Sequence, residues 1–219
     1  MELKYYGCLA YADALELQQK HWQAVKEGKS KAHIMALEHA NVISLGRRAK
    51  MEEEVLATRE QLYAKAVDVC ASDRGGLATV HSPGQLVIYP ILRLQDYGWG
   101  VRQLVCHLLK VSQSTLQDYN FTTSVLPDES GLQYGDKKMA FVGLRVQEGI
   151  SRHGLAINLS NDLSLFDLIR SCGLRQRKHT SMKNEGYTVT VQDFLSSWQK
   201  NWEKSLQNCE INAHCEAGV

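Results

Sequence analysis

The sequence predicts a single mixed α+β (α/β) domain, and three observations predict it. Short apolar runs of strand length alternate with three longer stretches whose apolar residues recur at helical spacing. No segment rich in Gly, Pro or Ser divides the chain, and no internal repeat is present. The 219 residues are enough to bury one sizeable core.

Residues 3–9 read as a strand and 11–26 as a helix, in which Leu15, Trp22 and Val25 share a face, Asp13 sits near the N-terminus and Gly28 stops the run. Residues 32–37 and 42–45 are strand-like, with Gly46 closing the second. The stretch 51–63 is charged and weakly helical, and 67–71 is a short buried strand. An apolar strand over 86–92 is closed by Pro90. Val101, Leu104, Val105, Leu108 and Leu109 repeat at helical spacing, so 101–118 is a helix. Four short strands follow, at 132–134, 138–142, 144–147 and 154–159. Asn161 or Asp162 caps a short helix over 162–169. A last amphipathic helix spans 191–206, so the domain covers 1–207 and a polar tail covers 208–219.

Composition excludes more than it proposes. Hydrophobic residues make up 44% and charged residues 22%, with mean hydropathy −0.31, as in ordinary soluble proteins. Lys plus Arg number 25 against 24 acidic residues, so no net basic footprint points to nucleic acid or a membrane surface. The first residues include Glu2 and Lys4 and no apolar stretch of signal-peptide length, and no run reaches the roughly 18 apolar residues of a membrane helix. A cytoplasmic location is the expectation. The six cysteines include no CxxC pair and are expected as free thiols. Cys209, His214 and Cys215 form the one metal-like cluster; they lie in the polar tail, and no metal is expected there.

Three stretches carry chemistry. In residues 73–90, Gly75-Gly76 and Pro83-Gly84 allow a ligand close to the backbone, and Arg74, Thr79, His81 and Gln85 add hydrogen-bonding groups beside an apolar strand. That combination suits a pocket for a polar head and an apolar tail. Lys138 opens a run of apolar residues, where burial favours a neutral amine and makes lysine a base near neutral pH. Lys137 is expected as a solvated charge. Cys172 precedes a glycine after a short helix, a turn able to present a thiol to a pocket.

Together these residues resemble the lipoyl(octanoyl) transferase family, of the biotin/lipoate ligase-like fold. The resemblance runs through Leu37-Glu-His39, Leu45-Gly-Arg47, Arg74-Gly-Gly-x-x-Thr-x-His81 and Pro83-Gly-Gln-Leu-Val-x-Tyr-Pro90. It continues through Lys138-x-Ala-x-x-Gly143, His153-Gly-Leu-Ala-x-Asn158, Asp162-Leu-x-x-Phe166, Cys172-Gly-Leu174 and Thr180-Ser181. These motifs keep the family order over about two-thirds of the chain. Ser82, Ser171, Phe141 and Gln133-Tyr134 depart from the family pattern, and the Ser and Phe changes touch pocket shape.

The resemblance implies a mixed sheet flanked by helices and a catalytic pair at Cys172 and Lys138. It implies substrate binding by Arg74, Gly75, Gly76, Leu77, Ala78, Thr79, Val80, His81 and Tyr89, by Val142, Gly143 and Leu144, and by His153, Gly154 and Leu155. The implied reaction moves an octanoyl group from octanoyl-acyl carrier protein to a lysine through an acyl-cysteine thioester. The implied acceptors are lipoyl domains of 2-oxoacid dehydrogenase complexes and the glycine cleavage H protein. No cofactor is implied, because the thioester is already activated, and a monomer is the family expectation. Backbone amides near Gly75-Gly76 or beside Cys172 are candidates to hold the oxyanion. The competing readings are an ATP-dependent lipoate–protein ligase, a non-catalytic acyl or lipoyl-domain binder, and a Cys-His thioester hydrolase.

Overall fold

The computed structural model describes residues 2–126, 130–170 and 178–211, the last four by backbone alone. Along the chain run β1 (Glu2–Leu9), α1 (Tyr11–Lys26), β2 (Ala32–His39), β3 (Val42–Leu45), α2 (Met51–Glu54), α3 (Arg59–Ala64), β4 (Asp68–Ala71) and β5 (Ala78–His81). Then follow β6 (Gln85–Leu92), α4 (Val101–Asp118), β7 (Ser124–Val125), β8 (Gly131–Tyr134), β9 (Lys137–Gln147), β10 (Ile150–Asn158) and α5 (Val191–Ile211). The seven-stranded sheet has the order β1-β2-β6-β10-β9-β8-β7, and a three-stranded sheet has the order β4-β3-β5. In the large sheet β1 and β2 pair in parallel and the other pairs are antiparallel.

Apolar periodicity decides which face each helix covers. Leu104, Leu108 and Leu116 of α4 and Phe194, Trp198 and Trp202 of α5 bury one face of the large sheet, against Ile34, Leu86, Ile88 and Leu155. The opposite face, with Met35, Leu37, Val87 and Ala156, packs on Ala14, Trp22 and Val25 of α1. The small sheet forms its own core from Ile43, Ala78 and Val80 against Leu165, Phe166 and Leu168. Phe141 of β9 touches the second and third cores, so the small sheet lies on the α1 side.

Sequence and structure part company in several places: β5 and β7 were not expected, and the strand expected as buried at 67–71 is β4, an edge strand whose Asp68 and Ala71 are exposed. The expected helix over 51–63 divides into α2 and α3, because Val55 leaves the helix to bridge Ile169 and Thr58 opens a new capping box with Gln61. The expected strands at 138–142 and 144–147 are one strand, β9, bent by a register shift at its pairing with β8. The strand expected over 86–92 is present as β6, which runs through Pro90 to Leu92 in the middle of the sheet.

A proline in a central strand removes a ladder donor, and the neighbours compensate. Pairings of Ile88 with Leu155 and Arg93 with Ile150 place His153 opposite Pro90. Ser151 bridges the gap, its hydroxyl donating to the Pro90 carbonyl at 2.7 Å and accepting from the Leu92 amide at 3.2 Å. Gly154 lies so close to β6 that a Cβ there would stand 2.1 Å from the Ile88 carbonyl oxygen and 2.7 Å from the Pro90 ring. Gly154→Ala is therefore expected to cost about 3 kcal/mol or to prevent folding. Gly98→Ala, at φ +66° with open space around it, should cost only about 1–2 kcal/mol. Urea denaturation of both variants checks this; equal losses would show that β6 and β10 can move apart.

Candidate active site

Between the large sheet and the small one lies a cleft of about 640 Å³, counting its open mouth. Its outer wall is the Arg74–Thr79 segment, and its floor is built by β6, β9 and β10. The small sheet is what brings the first motif here: β5 pairs antiparallel with β3, Thr79 opposite Ser44.

Arg74 organises this wall. Its side chain is buried, its Nε donating to Ser44 Oγ at 3.1 Å and Nη1 to the Gly75 carbonyl at 3.0 Å. Nη2 donates to the Ser44 carbonyl at 2.6 Å and the Leu77 carbonyl at 2.8 Å. The guanidinium thus ties the glycine loop to β3. Gly76, at φ +93°, makes the turn that brings those carbonyls onto one cation. The Gly75 amide is engaged by the Leu144 carbonyl at 3.0 Å, so it is not a free donor for an oxyanion, as the sequence had suggested.

Beneath the loop sits a layer of buried imidazoles and phenols. His81 donates from Nδ1 to Gln85 Oε1 at 2.6 Å, and Gln85 donates to Asn158 at 2.8 Å. Asn158 reaches the Thr180 carbonyl at 3.0 Å. His39 donates to the Leu9 carbonyl and accepts from the Tyr89 hydroxyl at 2.8 Å. Burial pushes His81 well below the ordinary histidine range and His39 down to about 4, and it raises Tyr89 well above a phenol's usual value.

His153 has φ +56°, and its amide donates to Gln18 Oε1 of α1 at 2.7 Å, away from the sheet ladder. That turn sends its Nε2–H to Asp73 at 2.6 Å. The hydrogen bond from His153, with the charges of Arg152 and Arg145, pulls Asp73 down to about 2 despite its partial burial. Burial holds His153 itself below its usual range, against the pull of Asp73. Its Nδ1 is buried and has no hydrogen-bond partner among the described residues.

Lys138, the second residue of β9, is 3% exposed and lines the cleft. A bulge aims it: Leu132 opposes Ala140 while Gln133 opposes Lys138, so Met139 is the extra residue. Met139 and Ala140 then both enter the α4–α5 core, and Lys138 and Phe141 both face the cleft. Lys138 Nζ stands 4.9 Å from the Phe141 ring centroid. Phe141 stacks in turn on Phe166 at 5.4 Å and His179 at 5.7 Å. The Lys138 backbone holds the chain that returns after residue 177: its amide donates to the Lys178 carbonyl at 2.9 Å and its carbonyl accepts from the Thr180 amide at 3.0 Å. Lys137 is not merely a solvated charge, because it meets Glu185 at 2.7 Å.

The structure brings together most of the residues that the sequence singled out. Arg74, Gly75, Gly76, Leu77, Ala78, Thr79, His81, Tyr89, Lys138, Val142, Gly143, His153, Gly154 and Leu155 line the cleft. Two do not: Val80 turns into the small-sheet core, as strand alternation after Thr79 requires, and Leu144 contributes its carbonyl to Gly75 from behind the wall. Val87, Ser130, Phe141 and Ala156 also line it; the sequence had tied Phe141 to pocket shape and Val87 to the apolar strand beside it, without naming any of the four as a binding residue. Alternation along β6 and β10 is the signal for Val87 and Ala156; Phe141 reaches the cleft through the bulge. Cys172 and the tail residues Cys209, His214 and Cys215 lie outside the residues whose side chains are described. Among the described residues no group of three or more His, Cys, Asp and Glu is placed to hold a metal, and no helix is long and apolar enough to cross a membrane.

Residues 10–203 match the family described as the lipoyl protein ligase A/B catalytic domain. The chain belongs to that family. An octanoyltransferase of Solibacter usitatus is 36% identical over 191 residues, which cover 87% of this chain and 86% of that protein. Among solved structures, a lipoate-protein ligase A bound with ATP superposes with TM-score 0.75 at 14% identity, covering 94% of this chain and 85% of that one. A bipartite lipoate protein ligase of Thermoplasma acidophilum gives 0.72 at 11%, covering 91% and 83%. At those identities the structures establish the shared fold, a mixed sheet flanked by helices in one domain.

The buried imidazoles set a pH dependence. Unfolded, His39 takes up a proton near 6.5; folded, only near 4. Between those values the unfolded chain binds more protons, so stability falls as pH falls from 6.5 towards 4, by up to roughly 3 kcal/mol for this residue. His39→Gln should be less stable at pH 7 yet show a flatter decline between pH 6.5 and 4.5 in urea titrations. A slope equal to the parent's would mean that His39 takes up its proton alike in the folded and the unfolded chain.

Proposed function

We propose that this chain is an octanoyltransferase: it moves an octanoyl group from octanoyl-acyl carrier protein to a lysine of a lipoyl domain, through an acyl-cysteine at Cys172. The observation that carries the reading is a buried lysine, Lys138, opening into a cleft whose walls are the family's Arg-Gly-Gly and His-Gly segments. The 36% identity to an octanoyltransferase over most of both chains supports it. So does the anchoring of the chain that returns from Cys172 on the Lys138 backbone.

In the first half-reaction the Cys172 thiolate attacks the thioester carbonyl. The tetrahedral oxyanion collapses, the bond to the carrier sulfur breaks, and that sulfur leaves with a proton from the Lys138 ammonium. In the second, the acceptor amine attacks the acyl-cysteine and gives its proton to Lys138, and the Cys172 thiolate is expelled as the amide forms. One buried amine thus serves as cation and as base in turn. The apolar surfaces of Val87, Val142, Leu155 and Ala156 suit the acyl tail. Arg74, whose hydrogen bonds to the loop are all inward, acts by shaping the wall. The acceptors of this reading are lipoyl domains of 2-oxoacid dehydrogenases and the glycine cleavage H protein, and the enzyme works as a cytoplasmic monomer on residues 1–207.

The ligase reading keeps one observation in its favour, the superposition on an ATP-bound lipoate-protein ligase A. Intact-protein mass spectrometry separates the two. Octanoyl-acyl carrier protein alone should add one octanoyl mass at Cys172, which moves to a lipoyl domain on addition. Acceptor modification that requires ATP and free acid would overturn the transferase reading. Cys172→Ser should fold and lose transfer, and near-parental turnover would sink the covalent mechanism. Lys138→Ala should slow both half-reactions by about 10²–10⁴-fold; full activity from pH 6 to 8 would leave Lys138 a packing residue.

A further inference from the structure

We infer that a basic and apolar lip beside the cleft, Arg47, Arg48, Met51, Leu56 and Arg170, docks the acidic face of the carrier protein that presents the thioester. The inference rests on the transferase reading.

The lip is fastened to the site by its backbone. The Gly46 amide donates to the Leu77 carbonyl at 3.3 Å, Arg47 to Arg74 at 3.0 Å and Arg48 to Gly76 at 3.3 Å. The turn after β3 therefore lies directly on the glycine loop of the cleft, where a Cβ on Gly46 would stand 2.5 Å from the Gly76 carbonyl. From there α2 leads to Glu54, whose carbonyl accepts the Arg170 amide at 2.7 Å, and Leu56 donates to the Leu168 carbonyl at 2.9 Å. These bonds set Arg170 and Leu56 at the same edge.

The side chains on this edge are not used by the fold. Arg47, Arg48 and Arg170 are exposed and have no ion pair among the described residues. Of the acidic residues nearby in sequence, Glu53 is held by Lys50 at 2.6 Å and Glu54 is buried. That leaves Glu52 on α2 and Asp167, three residues before Arg170, against three guanidinium groups. Met51 is 50% exposed and Leu56 52%, two of the five large apolar residues exposed among the described residues. Arginine and methionine around an apolar centre are the composition of a docking face, and unpaired guanidinium groups select a carboxylate-rich partner.

The donor fits this lip better than the acceptor does. A thioester carrier delivers its acyl group on an arm that begins at a phosphate, so the group entering beside the arginines is anionic. The acceptor brings a lysine ammonium, which three guanidinium groups repel. Acidic surface meeting basic lip also speeds encounter.

The test compares two octanoyl donors in single-turnover acylation of Cys172: the carrier protein and octanoyl-pantetheine, which lacks both protein and phosphate. Arg47→Glu/Arg48→Glu should lower kcat/KM for the carrier on the order of tenfold or more at low salt, with the gap narrowing as salt rises. Octanoyl-pantetheine should acylate the variant at the parental rate, which also certifies its fold. Transfer from preformed acyl-enzyme to a lipoyl domain should be unchanged. Equal losses on both donors, no loss on either, or a loss confined to the lipoyl-domain step overturns the docking assignment. A parent enzyme that gains no acyl group from either donor overturns the transferase reading itself.

Discussion

The cleft depends on one buried cation. Arg74 can leave water only because three loop and strand oxygens, from Ser44, Gly75 and Leu77, together with the Ser44 hydroxyl, replace its hydration. That requirement shapes the neighbourhood. The loop must turn at Gly76 to aim its carbonyls inward, and β9 must have no side chain at Gly143, where a Cβ would stand 3.3 Å from Arg74 Cδ. Lysine, a point charge with a narrower reach, cannot satisfy the same oxygens. The guanidinium thus ties the glycine loop to the small sheet, and that loop is the outer wall of the cleft.

The opposite side of the cleft is set by a counterpart irregularity in the large sheet. Strict alternation would place Lys138 and Phe141, three residues apart, on opposite faces. The extra residue at Met139 reverses this and gives the lysine an aromatic neighbour that is itself stacked on Phe166 and His179. The amine is thereby confined in a place where burial alone would leave a long flexible side chain free to choose among rotamers. Pro90 does similar work one strand away. By interrupting the ladder between β6 and β10 it lets His153 turn towards Asp73 and brings Gly154 against β6.

The helices were legible in the sequence because their apolar spacing is long and regular: α1 and α4 fall where periodicity puts them. Most of the cleft was legible too, since Arg74, His81, Lys138 and His153 announce themselves as polar groups embedded in apolar strands. What the sequence hid is non-local. Pro90 argues locally for the end of a strand, and only Ser151 and Gly154, some sixty residues on, show why the strand continues. Val80 lies between two cleft residues, and its opposite orientation follows once β5 is known to be a strand, which the sequence, read there only as a glycine-containing pocket segment, did not reveal. The bulge at Met139 depends on pairing with β8, so the sequence could tie Phe141 to pocket shape without showing that it shares a wall with Lys138.

A cleft lined by His81 and Tyr89 would be a poor host for an acyl tail if those two groups faced it unsatisfied. They do not. His81, Gln85 and Asn158 are bonded to one another and onward to Thr180, and His39 and Tyr89 close a second chain on the Leu9 carbonyl. A polar group whose hydrogen bonds run inward presents mainly carbon to the cavity, so the floor is polar in composition and apolar in effect. Burial reinforces this by keeping the imidazoles neutral. The floor can then be rigid, through its networks, without competing for the tail. Lys138 lies over the Phe141 ring on the same wall.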